Sequence, residues 1–273
     1  MGVVNVTPDS FSDGGRFLDH DAAIAHARAL VVEGADWVDV GGESTRPRAE
    51  PVPAAEEMRR VLPVVEALAA DGVAVSIDTR KAEVATAAVA AGASLVNDVS
   101  ASLADVAAAG GVGFVAMHML GDPRTMQDHP TYDDVVVDVR DFLVERADAA
   151  RRAGVDDVWI DPGIGFGKTL AHNLDLLANL DVLAATGYPV LVATSRKTML
   201  GTLAARADRP TDAGRSAGDG APPPPGDRLE GSVATAVWSL RCGAAMVRVH
   251  DVAATVRALA ALPAVERPAA PAA

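Results

Sequence analysis

Polar side chains recur at or near the ends of short apolar runs: Asn5, Asp39, Asp78, Asn97, His118, Asp161, Ser195, and the pair Arg248 and His250. One such residue has a plain explanation, since a strand must stop and polar residues stop it. A polar residue from every run has another: carboxylates, amides and cations that converge on one rim form a polar pocket. In MVRVH, Arg248 and His250 are two positions apart and share a strand face, while Val247 and Val249 take the other. Together they offer donors suited to phosphate oxygens; the plainer reading is a salt-bridged structural Arg beside a packed His. TSRKT (Thr194–Thr198) adds two cations just before a predicted helix, whose N-terminus suits an anion or a carbonyl. Asp78, Asn97 and Asp161 pull the other way, because acceptor-rich carboxylates flanking an amide suit a flat heterocycle with several N–H donors. Cations on one side and acceptors on the other suggest a heterocycle that carries a phosphate or diphosphate.

These residues need elements to carry them. The runs VVNV (Val3–Val6), WVDV (Trp37–Val40), VSID (Val75–Asp78), LVND (Leu95–Asp98), FVAMH (Phe114–His118), VWID (Val158–Asp161), VLVAT (Val190–Thr194) and MVRVH (Met246–His250) are short and rich in β-branched residues. Between them lie Ala-rich stretches with helical spacing, such as DAAIAHARALVVEGA and KAEVATAAVAAGA, several with Gly near their ends as a helix C-cap. Continuous apolar strands alternating with amphipathic helices predict βα units around a parallel sheet. About eight such units match the (β/α)8 TIM barrel, a single α/β domain of roughly 250 residues. A doubly wound open sheet ranks lower, because no GxGxxG follows the first strand. In a barrel the C-terminal strand ends share one rim, where active sites sit. The expected domain is 1–262, with a flexible Pro/Gly-rich loop at 206–228 and a disordered tail at 263–273.

A chain of 273 residues can bury a sizeable core, and at 4% aromatic content Ala, Val, Leu and Ile must fill it. The formal charge of -13 argues against nucleic acid or an anionic membrane as the main partner, without excluding a locally basic pocket. Cys242 is the only cysteine, so no internal disulfide forms and a reducing compartment is expected. With no signal-like start and no apolar run long enough to span a bilayer, the expected location is cytoplasmic.

The segments GVVNVTPDSFSDGG, VDVGGESTRP, SIDT, VNDVS, MHM, IDPGIGFGK, SRK and RVHDV occur in that order from Gly2 to about Val252. Each is weak alone; together they resemble the dihydropteroate synthase family of the folate pathway. The resemblance implies a TIM barrel that joins 6-hydroxymethyl-7,8-dihydropterin pyrophosphate to p-aminobenzoate, giving 7,8-dihydropteroate and pyrophosphate. It implies Mg2+ as cofactor, these two small molecules as substrates, and a homodimer. It assigns the pterin to Asp78, Asn97, Asp161 and Lys197, and the diphosphate to Asn5, Thr45, Arg46, Arg248 and His250, with Asn5 also a ligand of Mg2+. Phe166, Pro47, Lys197 and Thr198 fall where the p-aminobenzoate pocket is built, and Ser195 joins the substrate-binding set. The implied catalytic group is Asn5, Asp9, Arg46, Lys197, Arg248 and His250. TPDSFSDGG then becomes a flap: Pro8, Asp9 and Phe11 fold over the reacting centre and exclude water, while Gly14 and Gly15 let it move. GGESTRPRAEP is its partner loop.

Some positions depart from the family pattern. Arg48 stands where the family commonly has Gly, and Thr198 where it usually has Ser. The chain begins almost on its first strand, so the barrel bottom is expected to be less well sealed. His118 reads as a buried structural histidine, His20, His26, His129 and His172 as surface, Lys168 as covering the rim, and Cys242 as packed in a helix. Two rivals remain: a methyltetrahydrofolate:corrinoid methyltransferase, which has no need of the SRK and RxH cations, and a catalytically silent paralogue, which typically loses signature residues. Asp161→Asn is expected to abolish pterin binding because an amide cannot offer two acceptors. Arg248→Ala is expected to cost turnover more than pterin recognition. Sulfonamides, which mimic the arylamine, are expected to compete.

Overall fold

Each apolar run becomes a parallel strand, offset by at most a few residues: β1 (Gly2–Asn5), β2 (Val38–Gly41), β3 (Val75–Asp78), β4 (Leu95–Asp98), β5 (Gly113–Met117), β6 (Val158–Asp161), β7 (Leu191–Val192) and β8 (Met246–Val247). In this computed structural model the described residues are 1–7, 20–44, 50–122, 125–207 and 222–261. β1 to β6 form one six-stranded parallel sheet in chain order, and β7 pairs with β8. Two parallel bridges, Ile160 to Val190 and Gly2 to Val249, join the two parts into a ring. On the β8 side, Val3 N–H donates to Val249 O (3.1 Å) and Val249 N–H to Met1 O (2.9 Å).

The helices between the strands are α1 (His20–Val32), α2 (Ala54–Ala70), α3 (Ala82–Ala90), α4 (Ala104–Gly110), α5 (Val135–Ala153), α6 (Leu170–Ala178), α7 (Leu180–Ala184), α8 (Thr198–Ala207), α9 (Leu229–Arg241) and α10 (Val252–Ala261). Their ends follow local chemistry. Asp134 caps α5 by accepting from Val136 and Val137 N–H, and Gly154 closes it in the left-handed region. Thr169 and His172 form a reciprocal box at the start of α6.

Strand alternation divides the side chains into two sets. Val38, Val40, Val75, Ile77, Val96, Phe114, Val158 and Ile160 face outward and join the main core with the helices. Leu95, Val115, Leu191 and Ala193 face inward with Met1 and form a separate cluster, with Trp37, Trp159 and Met246 packed against it. The barrel interior below the rim is therefore filled; a cleft lined by Met1, Trp37, Met246, Val252 and Val256 remains at the N-terminal ends of β1, β2 and β8. Above that apolar floor the inward positions turn polar: Asp39 and Ser76 are register partners, as are Asp78 and Gly41, and Asp78 and Asn97. The apolar floor carries the packing, and the polar layer above it is left to the site.

Two expectations need correction here. Cys242 lies just past α9, as its C-cap, half-buried against the core. The end of the 206–228 segment is structured, not a free loop: Pro225–Asp227 make a 3-10 turn, and Arg228 donates to Pro223 O (2.9 and 2.7 Å) and Arg196 O (3.0 Å). Residues 208–221 and the tail 263–273 lie outside the described residues.

A charged network braces the base of the loop after β2. Glu57 on α2 is fully buried and accepts from Lys81 Nζ (2.5 Å) and Thr79 Oγ1 (2.7 Å). Lys81 also donates to Glu43 (2.7 Å), and Glu43 accepts from Arg80 (3.1 Å) and from Val52 N–H (2.7 Å). Glu43 thus ties together the two ends of the loop. Removing one partner of a buried pair leaves an uncompensated charge. Lys81→Met is expected to cost about 3 kcal/mol, lowering the thermal midpoint by about 6 °C or more. Adding Glu57→Gln should recover part of the loss in the same melt. An unchanged midpoint for Lys81→Met would show that the network carries no load.

Candidate active site

Four strands bring their inward polar residues into one hydrogen-bonded group. Arg248, after β8, reaches across the barrel: its Nε donates to Asp39 Oδ2 (2.5 Å) and its Nη2 to Asp78 Oδ2 (2.7 Å). Asn97 Nδ2 donates to the same Asp39 oxygen (3.2 Å). Asp39 Oδ1, Asp78 Oδ1 and Ser76 Oγ are buried with no hydrogen-bond partner. Burying a polar atom unpaired costs free energy, so three together mark acceptor positions built for something other than this chain. Burial raises the Asp78 carboxyl well above the usual carboxylate range, against the pull of Arg248.

Asp161, at the end of β6, is buried, and its Oδ1 accepts from Gly163 N–H (2.7 Å). Burial raises this carboxyl too, opposed by Lys197, by the Gly163 bond and by Arg248. The idea that both its oxygens face a ligand is therefore corrected: one is already taken by the backbone. Lys197, after β7, donates to Ile164 O, and its Nζ lies 4.7 Å from the centroid of the Phe166 ring. Burial brings the Lys197 ammonium down to about 8, with Asp161 pulling it back up. Phe166 is half-buried, and Thr198 is exposed as the first residue of α8.

Ser195 sets the second half of the rim. Its Oγ accepts from His250 N–H (3.1 Å) and lies 3.0 Å from His250 Nδ1. Asn5 ends β1, half-buried, level with Gly41. Arg196 does not join them. Its guanidinium is paired with Asp251 (2.6 and 3.1 Å), so only one of the two cations in SRK serves the rim. Arg196 holds a φ of 60°, an uncommon conformation for a non-glycine residue, with its N–H on Ser232 Oγ (3.0 Å).

The β6–α6 loop takes its shape from glycine. Gly163 and Gly167 both have φ of +62°, and a Cβ on Gly163 would lie 1.9 Å from His118 O. Lys168 does not cover the rim, as its sequence position suggests. It is 3% exposed and lies inside the loop against His118 Nδ1 (2.8 Å). Asp9, Thr45, Arg46, Pro47 and Arg48, together with the flap residues Pro8, Phe11, Gly14 and Gly15, lie outside the described residues.

The model of the family described as pterin binding enzyme matches residues 1–250. The dihydropteroate synthase of Mycobacterium leprae is 48% identical over 95% of this chain and 90% of that protein. The chain belongs to the dihydropteroate synthase family. Membership carries the family's activity, dihydropteroate synthesis in the folate pathway. The structure of the Xanthomonas albilineans dihydropteroate synthase with 4-aminobenzoic acid is 48% identical and superposes with a TM-score of 0.82, over 96% of this chain and 93% of that one. The same organism's enzyme in complex with 7,8-dihydropteroate gives 46% identity and a TM-score of 0.80, over 95% and 90%. Identity at this level to synthases decides between the two pterin-handling activities weighed from the sequence. The family's barrel also sets aside the doubly wound sheet.

Within the family frame, the expected pterin residues Asp78, Asn97, Asp161 and Lys197 do gather with Arg248. Two participants were underread. Asp39 lies mid-run, and only the register beside Ser76 shows that it faces inward. Arg248 is not reserved for a leaving group, since in this structure it neutralises the two carboxylates that line the opposite wall.

Proposed function

We propose that this synthase-family chain joins 6-hydroxymethyl-7,8-dihydropterin diphosphate to p-aminobenzoate through the residues gathered at this rim, in the cytoplasm and as a homodimer. The observation that carries the assignment is the buried group Asp39–Asp78–Arg248–Asn97, with two carboxylate oxygens left unpartnered. Such acceptors match the N–H donors of a pterin ring. The related Xanthomonas albilineans structures hold the two ligand classes, 4-aminobenzoic acid in one and 7,8-dihydropteroate in the other.

In this reading Asp78, Asn97 and Asp161 hold the ring edge. Lys197, Phe166, Pro47 and Thr198 wall the arylamine, while Asn5, Thr45, Arg46, Ser195 and His250 face the diphosphate. The C–O bond to the diphosphate breaks with its electron pair leaving on oxygen, so negative charge grows there. Arg248, Arg46 and His250 stabilise that charge. The dihydropterin delocalises the positive charge left on its methylene carbon. The arylamine nitrogen then forms the new C–N bond and loses a proton, and no covalent enzyme intermediate is needed. Asp9 and the flap around it serve to exclude water during the exchange.

Mg2+ takes oxygen ligands, keeps several waters, and is usually held by one or two protein groups plus substrate phosphates. Among the described residues no group of three or more His, Cys, Asp or Glu could hold a metal ion. The amide oxygen of Asn5 therefore fits an ion brought by the diphosphate, not a standing metal centre. When bound there, the ion supplies neutralising charge to the leaving oxygens. No helix among the described residues is long and apolar enough to cross a membrane.

The test is a coupled assay of pyrophosphate release. Release is expected only with both substrates and Mg2+ present. Release that ignores the arylamine, or none with both present, would overturn the assignment.

A further inference from the structure

All five carbonyls from Gly163 to Gly167 are engaged by side chains. Gly163 O and Phe166 O accept from Lys168 Nζ (3.1 and 3.0 Å), Ile164 O from Lys197, Gly165 O from Gln127 Nε2 (2.6 Å), and Gly167 O from Tyr132 OH (2.7 Å). Lys168 is the central member. It also meets His118 Nδ1 (2.8 Å) and, at 3.4 Å, His118 O, so the three protons of the ammonium are shared among four acceptors. Among the described residues Lys168 makes no ion pair, which is unusual for a lysine only 3% exposed. Burial brings its ammonium down to about 7, and burial beside this cation holds His118 neutral, down to about 3. The imidazole is thereby kept as the acceptor that the ammonium requires.

The carbonyls that Lys168 gathers belong to Gly163, which precedes Ile164, and to Phe166 itself. Ile164 O and the Phe166 ring are the two groups that hold Lys197. A substrate wall made of Phe166 and Lys197 is therefore only as well placed as this backbone. We infer that Lys168 is a positioning residue for the arylamine: it binds the carbonyls of Gly163 and Phe166 to His118 and so sets the Phe166 ring against Lys197. The inference rests on the reading that Phe166 and Lys197 wall the p-aminobenzoate site.

Lys168→Met keeps the length of the side chain and removes its donors. We expect the KM for p-aminobenzoate to rise about tenfold or more, with kcat at saturating arylamine and the Kd of 6-hydroxymethylpterin each within about threefold. A merely structural role would move all three together. Phe166→Ala alone should raise the same KM, and the double variant should match Phe166→Ala, because Lys168 acts through the ring. If Phe166→Ala leaves the arylamine KM unchanged, the assignment of the wall fails. If Phe166→Ala raises it but the two effects multiply, or if Lys168→Met changes nothing, the positioning role of Lys168 is overturned. Lys168→Gln, whose shorter, neutral side chain gives up the bond that ties these carbonyls to His118, carries the same cycle if Lys168→Met does not fold.

Discussion

Asp161→Asn is expected to weaken binding of a diphosphate-free pterin by about a thousandfold, measured by calorimetry. The reason lies in the backbone as much as in the ligand. Gly163 N–H already donates to Asp161 Oδ1 at 2.7 Å, and the Gly163 backbone cannot easily yield, packed as it is against His118 O. An asparagine must therefore give its one carbonyl oxygen to Gly163 and turn its NH2 toward the ligand. Ring N–H donors then meet another donor. The change removes a charge-assisted hydrogen bond and leaves a buried donor unpaired, together about 4 kcal/mol. Melting should shift little, because the Gly163 contact is kept. An affinity within about threefold of the parent would remove Asp161 from the pterin site.

Arg248→Ala is expected to impair pterin affinity and turnover together, unlike a side chain that acted on the leaving group alone. Asp39 and Asp78 would lose the one cation among the described residues that is bonded to both, costing about 3–5 kcal/mol if they stayed ionised. Asp78 responds by holding its proton, since Arg248 is what pulls its raised carboxyl downward. A carboxyl raised by folding contributes stability that is fully present below about pH 4. That contribution is lost as pH rises through the folded value. Pterin binding runs the other way, because an N–H donor needs the ionised carboxylate. Affinity of the parent should therefore climb as pH rises above the ordinary carboxylate range, and in Arg248→Ala the climb should begin at higher pH. Turnover should fall by about a thousandfold, the scale for removing one preorganised charge donor. Arg248→Lys should recover little, since an ammonium cannot reproduce the fork that meets both carboxylates. Equal pH profiles for parent and variant would separate Arg248 from the charge of Asp78.

How far the site was legible depended on which physical rule applied to each residue. VSID and VWID announce their roles because an apolar strand that ends in Asp has one place to put it. LVND is harder, since both Asn97 and Asp98 are buried. Only alternation sends Asn97 inward, while Asp98 turns back to accept from Ser100, Ser102 and Leu103 N–H. Arg196 and Lys197 are adjacent and alike in composition. Their split follows from a left-handed backbone at Arg196 that no propensity would assign. Lys168 was misread for a related reason: a lysine at a loop end is ordinarily solvent-facing, and only the turning of the glycine loop creates the carbonyl cage that retains it. The barrel itself was legible because its apolar runs are uniform. The chemistry of its rim was less so, because it depends on register.

The two short strands β7 and β8 meet the rest of the ring through one bridge on either side, and Arg248 grips β2 and β3 from the β8 side. Recognition of the heterocycle and closure of the ring thus draw on the same pair of carboxylates. A ligand that bonds the free Oδ1 atoms of Asp39 and Asp78 leaves the Arg248 bonds to the two Oδ2 atoms in place, so the cylinder can stay clasped along this edge while its pocket fills.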